Sequence, residues 1–283
     1  MESQTSKLAC TGERVIEDDY KSSASRYLIY LFHIATYNFC TPYIRNKRVL
    51  EFGSGSGYGT FLIAPECRHI IGIDISVDAI NYAKSRYQRD NLEYRNIDDI
   101  NTTDLPFTDN EFDTVISFQV VEHIRNSDRF LSEIQRVLKP GGTLVIATPD
   151  RSTRLYPGQK PWNIFHITEY DPATFLRMMS RSFPETTLYG MTARGSVVDI
   201  ETRRTEKLRK AAYPFTFPFC PEWYRQMSLG LLKKIQSFLP RAGHAETDSE
   251  TRFGFSLDDI VIDKDAAPSV NIVSVSINPP SKT

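Results

Sequence analysis

The chain of 283 residues carries 34 Lys or Arg against 35 Asp or Glu, a formal net charge of -1 that argues against attachment to nucleic acid by global charge. With 40% hydrophobic and 12% aromatic residues and a mean hydropathy of -0.36, it can bury a sizeable core and lacks a disordered composition. Cys10, Cys40, Cys67 and Cys220 form no CxxC pair, which speaks against a structural zinc site or a disulfide framework and for a reducing, cytoplasmic home.

The beginning of the sequence shows no basic segment followed by an apolar run, so no signal peptide is expected. The apolar stretch Tyr27 to Ala35 is about half the roughly 20 residues that cross a bilayer and reads as a core helix. From residue 48 to 149, short β-branched runs alternate with helical stretches, the pattern of a parallel sheet with crossover helices. Arg48 to Phe52 is a first strand, 58–64 a helix, His69 to Ile75 a second strand, and 77–88 a second helix. Leu92 to Ile97 and Phe112 to Phe118 follow as strands, then a helix over 127–138 that ends at Lys139-Pro140-Gly141-Gly142. Thr143 to Pro149 is a fifth strand, Asp171-Pro172 caps a helix to about Phe183, Thr186 to Met191 is a sixth strand, and Asn271 to Ile277 a seventh. The expectation is a doubly wound α/β domain with a seven-stranded, mostly parallel sheet. Its segments are an N-terminal helical cap (1–47), the core (48–202), a late insertion (203–250) and a C-terminal segment (251–283) that returns a strand to the sheet.

The insertion stands out by charge. Between Arg203 and Arg241 nine basic residues face two acidic ones, among Tyr213, Phe215, Phe217, Phe219, Trp223 and Tyr224, with Pro214, Pro218 and Pro221 expected to interrupt regular structure. An amphipathic helix is expected over 223–239. A solvated lid, contact with an anionic acceptor, and peripheral membrane contact through 203–241 are the three readings of this stretch.

The first strand runs into Glu51-Phe-Gly53-Ser-Gly55-Ser-Gly57-Tyr58-Gly59, a Gly-rich turn between strand and helix where backbone can approach a ligand and free N–H groups are available. A dinucleotide fingerprint G-x-G-x-x-G is broken by Tyr58, and the Gly-Lys-Ser/Thr end of a phosphate loop is absent. Asp74 ends the second strand and Asp98 follows the third, two carboxylates at the carboxyl edge of the sheet, where open α/β sheets bind ligands. Each could instead cap the element that follows it.

These segments, VLEFGSGSGYGT (49–60), GIDIS (72–76), DLPFTDNEFDTVISFQVVEHI (104–124) and LKPGGTLVIATPD (138–150), resemble the class I S-adenosylmethionine (SAM) dependent methyltransferases of the Methyltransferase-11/UbiE-like type. The resemblance covers about residues 11 to 200. It implies SAM as cofactor, with Gly53, Gly55 and Gly57 around the methionine part and Glu51 holding the loop and the nearby amine. It further implies Asp74 and Ile75 at the ribose, Ile97 and Asp98 at the adenine, and Phe118 and Gln119 beside the sulfonium and substrate. The segment before Leu105-Pro106-Phe107 is longer than the family's, so Asp99 could take the place of Asp98. A narrower similarity, to methyltransferases associated with cell-surface polysaccharide and glycosyl-transfer genes, is carried by Thr11-Gly12-Glu13-Arg14, Ser25-Arg26-Tyr27, Gly57-Tyr58-Gly59 and Asn163-x-x-His166-x-x-Glu169-Tyr170. It departs at Glu17-Asp18, where that subgroup has Pro-Glu.

Methyl transfer from a sulfonium is an in-line displacement helped by orientation and exclusion of water, and a hydroxyl acceptor also needs a general base. His166 and His123 are the candidates, in loops at the carboxyl edge, with Glu169 orienting His166; no metal is expected. His123 could instead pack beneath the loop, and His166 could position substrate without taking a proton. The expected acceptor is a small molecule or glycan methylated at a hydroxyl oxygen. RNA methylation and a non-catalytic SAM-binding role are the alternatives, and a nicotinamide-dependent dehydrogenase is disfavoured by the loop spacing.

Overall fold

In the computed structural model the described residues are Tyr20, 22–237 and 252–280. The Thr11 to Arg14 segment, Glu17-Asp18, Cys10 and residues 238–250 of the expected insertion lie outside them. Helix α1 (Ala24–Phe39) starts at Ser23, whose hydroxyl accepts from the Arg26 N–H, and buries Leu28, Leu31, Phe32 and Ala35 along one face. Then β1 (Arg48–Phe52), α2 (Tyr58–Ile63), β2 (His69–Asp74), α3 (Val77–Arg86), β3 (Leu92–Asn96) and β4 (Phe112–Phe118) follow in the expected alternation. The chain continues through α4 (Ser127–Val137), β5 (Leu138–Pro149), α5 (Pro172–Met179), β6 (Glu185–Ala193), α6 (Val197–Thr216), α7 (Glu222–Ser237), β7 (Ile260–Asp263) and β8 (Asn271–Ile277).

All eight strands join one sheet in the order β3-β2-β1-β4-β5-β8-β6-β7. The first five pair in parallel and β8, β6 and β7 are antiparallel to their neighbours. The expected count of seven is therefore corrected to eight. The extra strand β7 is four residues long and half-buried at the sheet edge, too short and too weakly alternating to stand out from a loop in sequence. Helices α4 and α5 cover one face with Phe130, Leu131, Ile134 and Phe175, while α1 covers the other over Val49, Ile70, Ile116 and Val145. Helix α6 packs on α1, and α7 on α6.

Two boundaries differ for readable reasons. Strand β5 already begins at Leu138, because Lys139-Pro140-Gly141-Gly142 forms an irregularity inside the strand rather than a turn before it. Gly141 takes φ +74, and Asn278 donates its side-chain amide to the carbonyls of Gln135, Leu138 and Lys139. Helix α6 runs from Val197 through Thr216, so the expected boundary at 203 falls inside one helix, and Pro214 sits in its last turn instead of breaking it. Gln159 donates to the Arg209 carbonyl and to the Thr216 hydroxyl at the helix end, tying this part of the helix to a neighbouring loop.

Candidate functional site

Strand order reverses between β1 and β4: the chain after β1 goes to β2 on one side, while β4 leads to β5 on the other. Such a switch point opens a crevice at the carboxyl ends of the strands. A cavity of about 530 Å³ lies there. Its floor is the Gly53 to Ser56 turn, which takes φ +83 at Gly53 and +54 at Gly55. A Cβ on Gly53 would stand 2.3 Å from Val120 Cγ2, so the turn needs glycine there for space as well as for conformation.

Asp74 fixes this turn. Its Oδ2 accepts from the Gly55 N–H at 3.0 Å and its Oδ1 from the Ser76 N–H at 2.8 Å. The cap of α3 is Ser76, whose hydroxyl accepts from Ala79, so Asp74 is not spent on capping and lines the cavity. Ile75, Ile97, Phe118 and Gln119 line it too. Gln119 holds φ +57, an unusual conformation for a residue with a side chain, pinned by its N–H donating to the Ala147 carbonyl at 2.8 Å.

Three expected cofactor residues sit elsewhere. Asp98 and Asp99 are both exposed, and Asp99, the alternative the sequence offered, lines the cavity while Asp98 does not. Gly57 faces away: a Cβ there would meet Ala83 and Tyr94 within 3 Å, and its φ of +81 starts α2. Glu51 is 1% exposed behind the turn, where its Oε1 accepts from the Tyr37 hydroxyl at 2.6 Å. Burial raises its carboxyl to about 7, with the hydroxyls of Thr60 and Tyr37 opposing only part of the effect. Tyr37 and His33 from α1, and Ser54 and Ser56 from the turn, also line the cavity. Sequence reading takes the apolar stretch that carries His33 as core and expects Arg26 or Tyr27 to reach the cofactor; neither lines the cavity, since nothing in the apolar periodicity marks which residues reach over the sheet edge.

A second cavity of about 490 Å³ adjoins the first, and His33, Gln119 and His123 line both. Its polar wall holds Glu122, His166, Arg154, Trp162 and Asn163, and α6 and α7 close it with Leu208, Ala211, Ala212, Leu229 and Leu232. His166, 5% exposed, has Nδ1 2.7 Å from Glu169 Oε1, and Glu169 accepts from Arg154 Nε and Nη2 at 3.1 and 3.2 Å. Burial would raise the Glu169 carboxyl, but the Arg154 charge and His166 bring it down to about 2. His123 Nδ1 lies 3.0 Å from the Phe165 carbonyl, and its ring meets that of His166 edge-on with centroids 4.9 Å apart. Glu122 is fully buried; its Oε2 accepts from the Thr148 hydroxyl at 3.0 Å.

The three residues expected to do chemistry are thus brought together at the junction of the two cavities, with Glu169 behind His166. The supports were missed. Arg154 stacks 4.3 Å from the Trp162 ring, and Arg225, 2% exposed on α7, donates to the carbonyls of Pro161, Asn163 and His166. Arginines separated from their partners by up to 64 residues leave no local signal.

Comparison with known proteins agrees with this geometry. A family model described as a methyltransferase domain matches residues 45–183. A Mycobacterium tuberculosis protein named "Probable S-adenosylmethionine-dependent methyltransferase" is 34% identical over 212 residues, 70% of this chain and 73% of that one. A similarly named Mycolicibacterium smegmatis protein is 34% identical over 175 residues, 62% of this chain, and the match spans 64% of that relative's length. A fatty-acid O-methyltransferase from the same species is 36% identical over 120 residues, 42% of each chain. Among solved structures, the [4+2]-cyclase SpnF has a TM-score of 0.53 at 16% identity, covering 88% of this chain and 81% of that one. A Haemonchus contortus phosphoethanolamine N-methyltransferase with bound SAM has 0.53 at 18%, over 94% and 60%. At such identities the two structures speak for the fold alone.

The chain belongs to the SAM-dependent methyltransferases. It is a transferase of class EC 2.1.1 that takes SAM as methyl donor, in a mixed α/β fold of the class I type.

Proposed function

We propose that the protein transfers the SAM methyl group to a hydroxyl oxygen of a small-molecule or glycan-type acceptor held in the second cavity. The observation that carries this reading is the shared wall: His33, Gln119 and His123 border both cavities, and His166 stands beside them. SAM in the first cavity is held by the Gly53 to Ser56 turn, with Asp74 and Ile75 at the ribose, Ile97 and Asp99 at the adenine, and Phe118 and Gln119 near the sulfonium. The acceptor hydroxyl gives its proton to His166, its oxygen forms the bond to the methyl carbon, and the carbon–sulfur bond breaks to leave neutral S-adenosylhomocysteine. Glu169, held ionised by Arg154, fixes the His166 ring and stabilises the imidazolium, a role that needs a carboxylate in the dry interior. His123 orients the acceptor from the other side.

The sequence motif Asn163-x-x-His166-x-x-Glu169-Tyr170 forms part of this wall and supports an acceptor of the cell-surface polysaccharide kind. Leu208, Ala211, Leu229 and Leu232 add an apolar side that suits an attached lipid or aromatic group. The near balance of charge still speaks against RNA. The deciding experiment is transfer of labelled methyl from SAM to a panel of nucleotide sugars, glycolipids and fatty acids. Product methylated at oxygen, lost in His166→Ala, supports the reading; transfer only to RNA or to nitrogen refutes it.

A second reading concerns place. No described helix is long and apolar enough to cross a membrane. Phe219, Trp223, Met227 and Leu231 are 92, 68, 60 and 59% exposed at four-residue spacing, three of them on α7, and Lys207, Lys210 and Lys234 are exposed nearby in sequence. That row favours peripheral contact with an anionic bilayer. Sedimentation with phosphatidylglycerol vesicles tests it: binding lost in Trp223→Ser with Met227→Ser supports contact, and no binding refutes it.

A further inference from the structure

We propose that Glu122, His123 and His166 form a binding site for a divalent transition-metal ion of the zinc class. One donor atom from each lies within 4.8 Å of the other two. Two imidazoles and one carboxylate with room for a further ligand is the donor set of open Zn²⁺, Fe²⁺ and Co²⁺ sites, and it is poorly suited to Mg²⁺ or Ca²⁺, which prefer all-oxygen shells. Ligand bonds of about 2.1 Å put tetrahedral donors about 3.4 Å apart, so the trio closes inward by roughly an ångström when an ion enters.

Three features separate this cluster from a chance meeting of polar side chains. First, Glu122 is fully buried and its Oε1 has no hydrogen-bond partner, a costly state for a carboxylate oxygen unless something else neutralises it. Arg154, a guanidinium that feels the Glu122 charge, is already committed to both oxygens of Glu169. Second, each residue is anchored through one polar atom: Glu122 Oε2 by Thr148, His123 Nδ1 by the Phe165 carbonyl, and His166 Nδ1 by Glu169. Carboxylate or carbonyl contacts of this kind fix ring orientation and raise the donor strength of metal-binding histidines. Third, all three residues line the second cavity, so the ion's open position faces the space where an acceptor enters.

Sequence reading expects no metal because the ligands follow no motif; His166 comes from a loop 43 residues after His123, held beside it by the Arg225 bonds and by the Ile167 and Thr168 N–H groups donating to the Glu122 carbonyl. The site's consequence rests on the methyl-transfer reading, whereas ion binding itself does not. An ion held by His166 occupies the ring that the proposed transfer uses as base, so the loaded protein is the resting form and the ion-free protein the active one.

The test uses the full chain, dialysed against a chelator and titrated with CoCl₂. One equivalent of Co²⁺ developing visible absorption bands, displaced by Zn²⁺, is expected, with affinity lowered at least a hundredfold in both Glu122→Gln and His166→Gln. SAM affinity, read by calorimetry on the same variants, serves as the folding control, since neither side chain lines the first cavity. Absence of bands in the native chain, or undiminished binding in SAM-competent variants, overturns the site and leaves the methyl-transfer reading standing. With a hydroxyl acceptor from the screen, one equivalent of Zn²⁺ is expected to lower the initial rate at least tenfold, with recovery on chelation. A rate increase would overturn the competition and make His166 a ligand of the working enzyme instead of its base.

Discussion

Glu51 offers a quantitative test of how the cofactor turn is supported. Its carboxyl titrates at about 7 in the folded chain, against an ordinary value of 4.5, because burial penalises the charged form. Between those two values the folded protein holds more protons than the unfolded one, so stability falls as pH rises through the window and is level on either side. A shift of about 2.5 units at about 1.4 kcal/mol per unit places about 3 kcal/mol on this group. His33 works in the opposite sense: burial lowers it from 6.5 to about 4, so its contribution is fully present above 6.5 and is lost as pH falls towards 4. Its ring borders both cavities and is partly exposed, so solvent screening makes its contribution the smaller of the two. The native stability curve is therefore shallow between pH 4.5 and 6.5, and the Glu51 effect emerges only by difference. Glu51→Gln keeps an acceptor for the Tyr37 hydroxyl and removes the titration. Guanidinium unfolding of SAM-free protein at a series of pH values should show the variant gaining on the native chain by about 3 kcal/mol from pH 4.5 to above 7. A native-minus-variant difference that stays constant across this window would refute the assignment.

The other expectations concern affinity and turnover. Gly53→Ala drives a Cβ into Val120 from a left-handed backbone, and should cost about 1–3 kcal/mol in denaturant unfolding while lowering SAM affinity at least tenfold; native-like affinity would show that the turn can shift freely. Asp74→Ala removes acceptors of the Gly55 and Ser76 N–H groups and should weaken SAM binding by more than tenfold in calorimetry, and unchanged affinity would remove Asp74 from the ribose role. His166→Ala should cut methyl transfer at least a hundredfold with SAM affinity nearly intact, and unimpaired turnover would end its role as base. Arg225→Lys replaces a fork that serves three carbonyls by a single ammonium, and should lower turnover and raise the acceptor KM without changing SAM affinity; loss of SAM binding as well would show a general collapse instead.

Most of the elements around the first cavity were legible because their signals are local. A strand, a Gly-rich turn and a following acid lie within 27 residues, from Arg48 to Asp74, and the backbone itself makes the site, so the pattern of residue types nearly determines the geometry. The expected residues that do not line the cavity are matters of register and packing. Asp98 and Asp99 differ by one position in an irregular segment where no periodicity fixes which side chain turns inward. Gly57 looks like part of the ligand cradle but is small because Ala83 and Tyr94 crowd it from α3 and β3, a contact that exists only once the sheet is assembled.

The second cavity follows a different logic, which explains why only His123, His166 and Glu169 could be read around its wall. There the backbone is a loop, and a loop holds a catalytic geometry only if side chains from elsewhere fasten it. Arg225 ties α7 to three carbonyls of the 161–166 loop, Arg154 ties the one-turn helix at Arg151–Arg154 to Glu169, and Trp162 lies against Arg154 with Arg204 of α6 5.9 Å away. The basic excess of residues 203–241 thus has a partly internal purpose: Arg204 and Arg225 face inward as fasteners, while Lys207 and Lys210 remain outside. Composition counts both kinds alike. A charge buried with several acceptors and a charge in water carry the same letter in sequence, and only the fold assigns one to the site and the other to the surface.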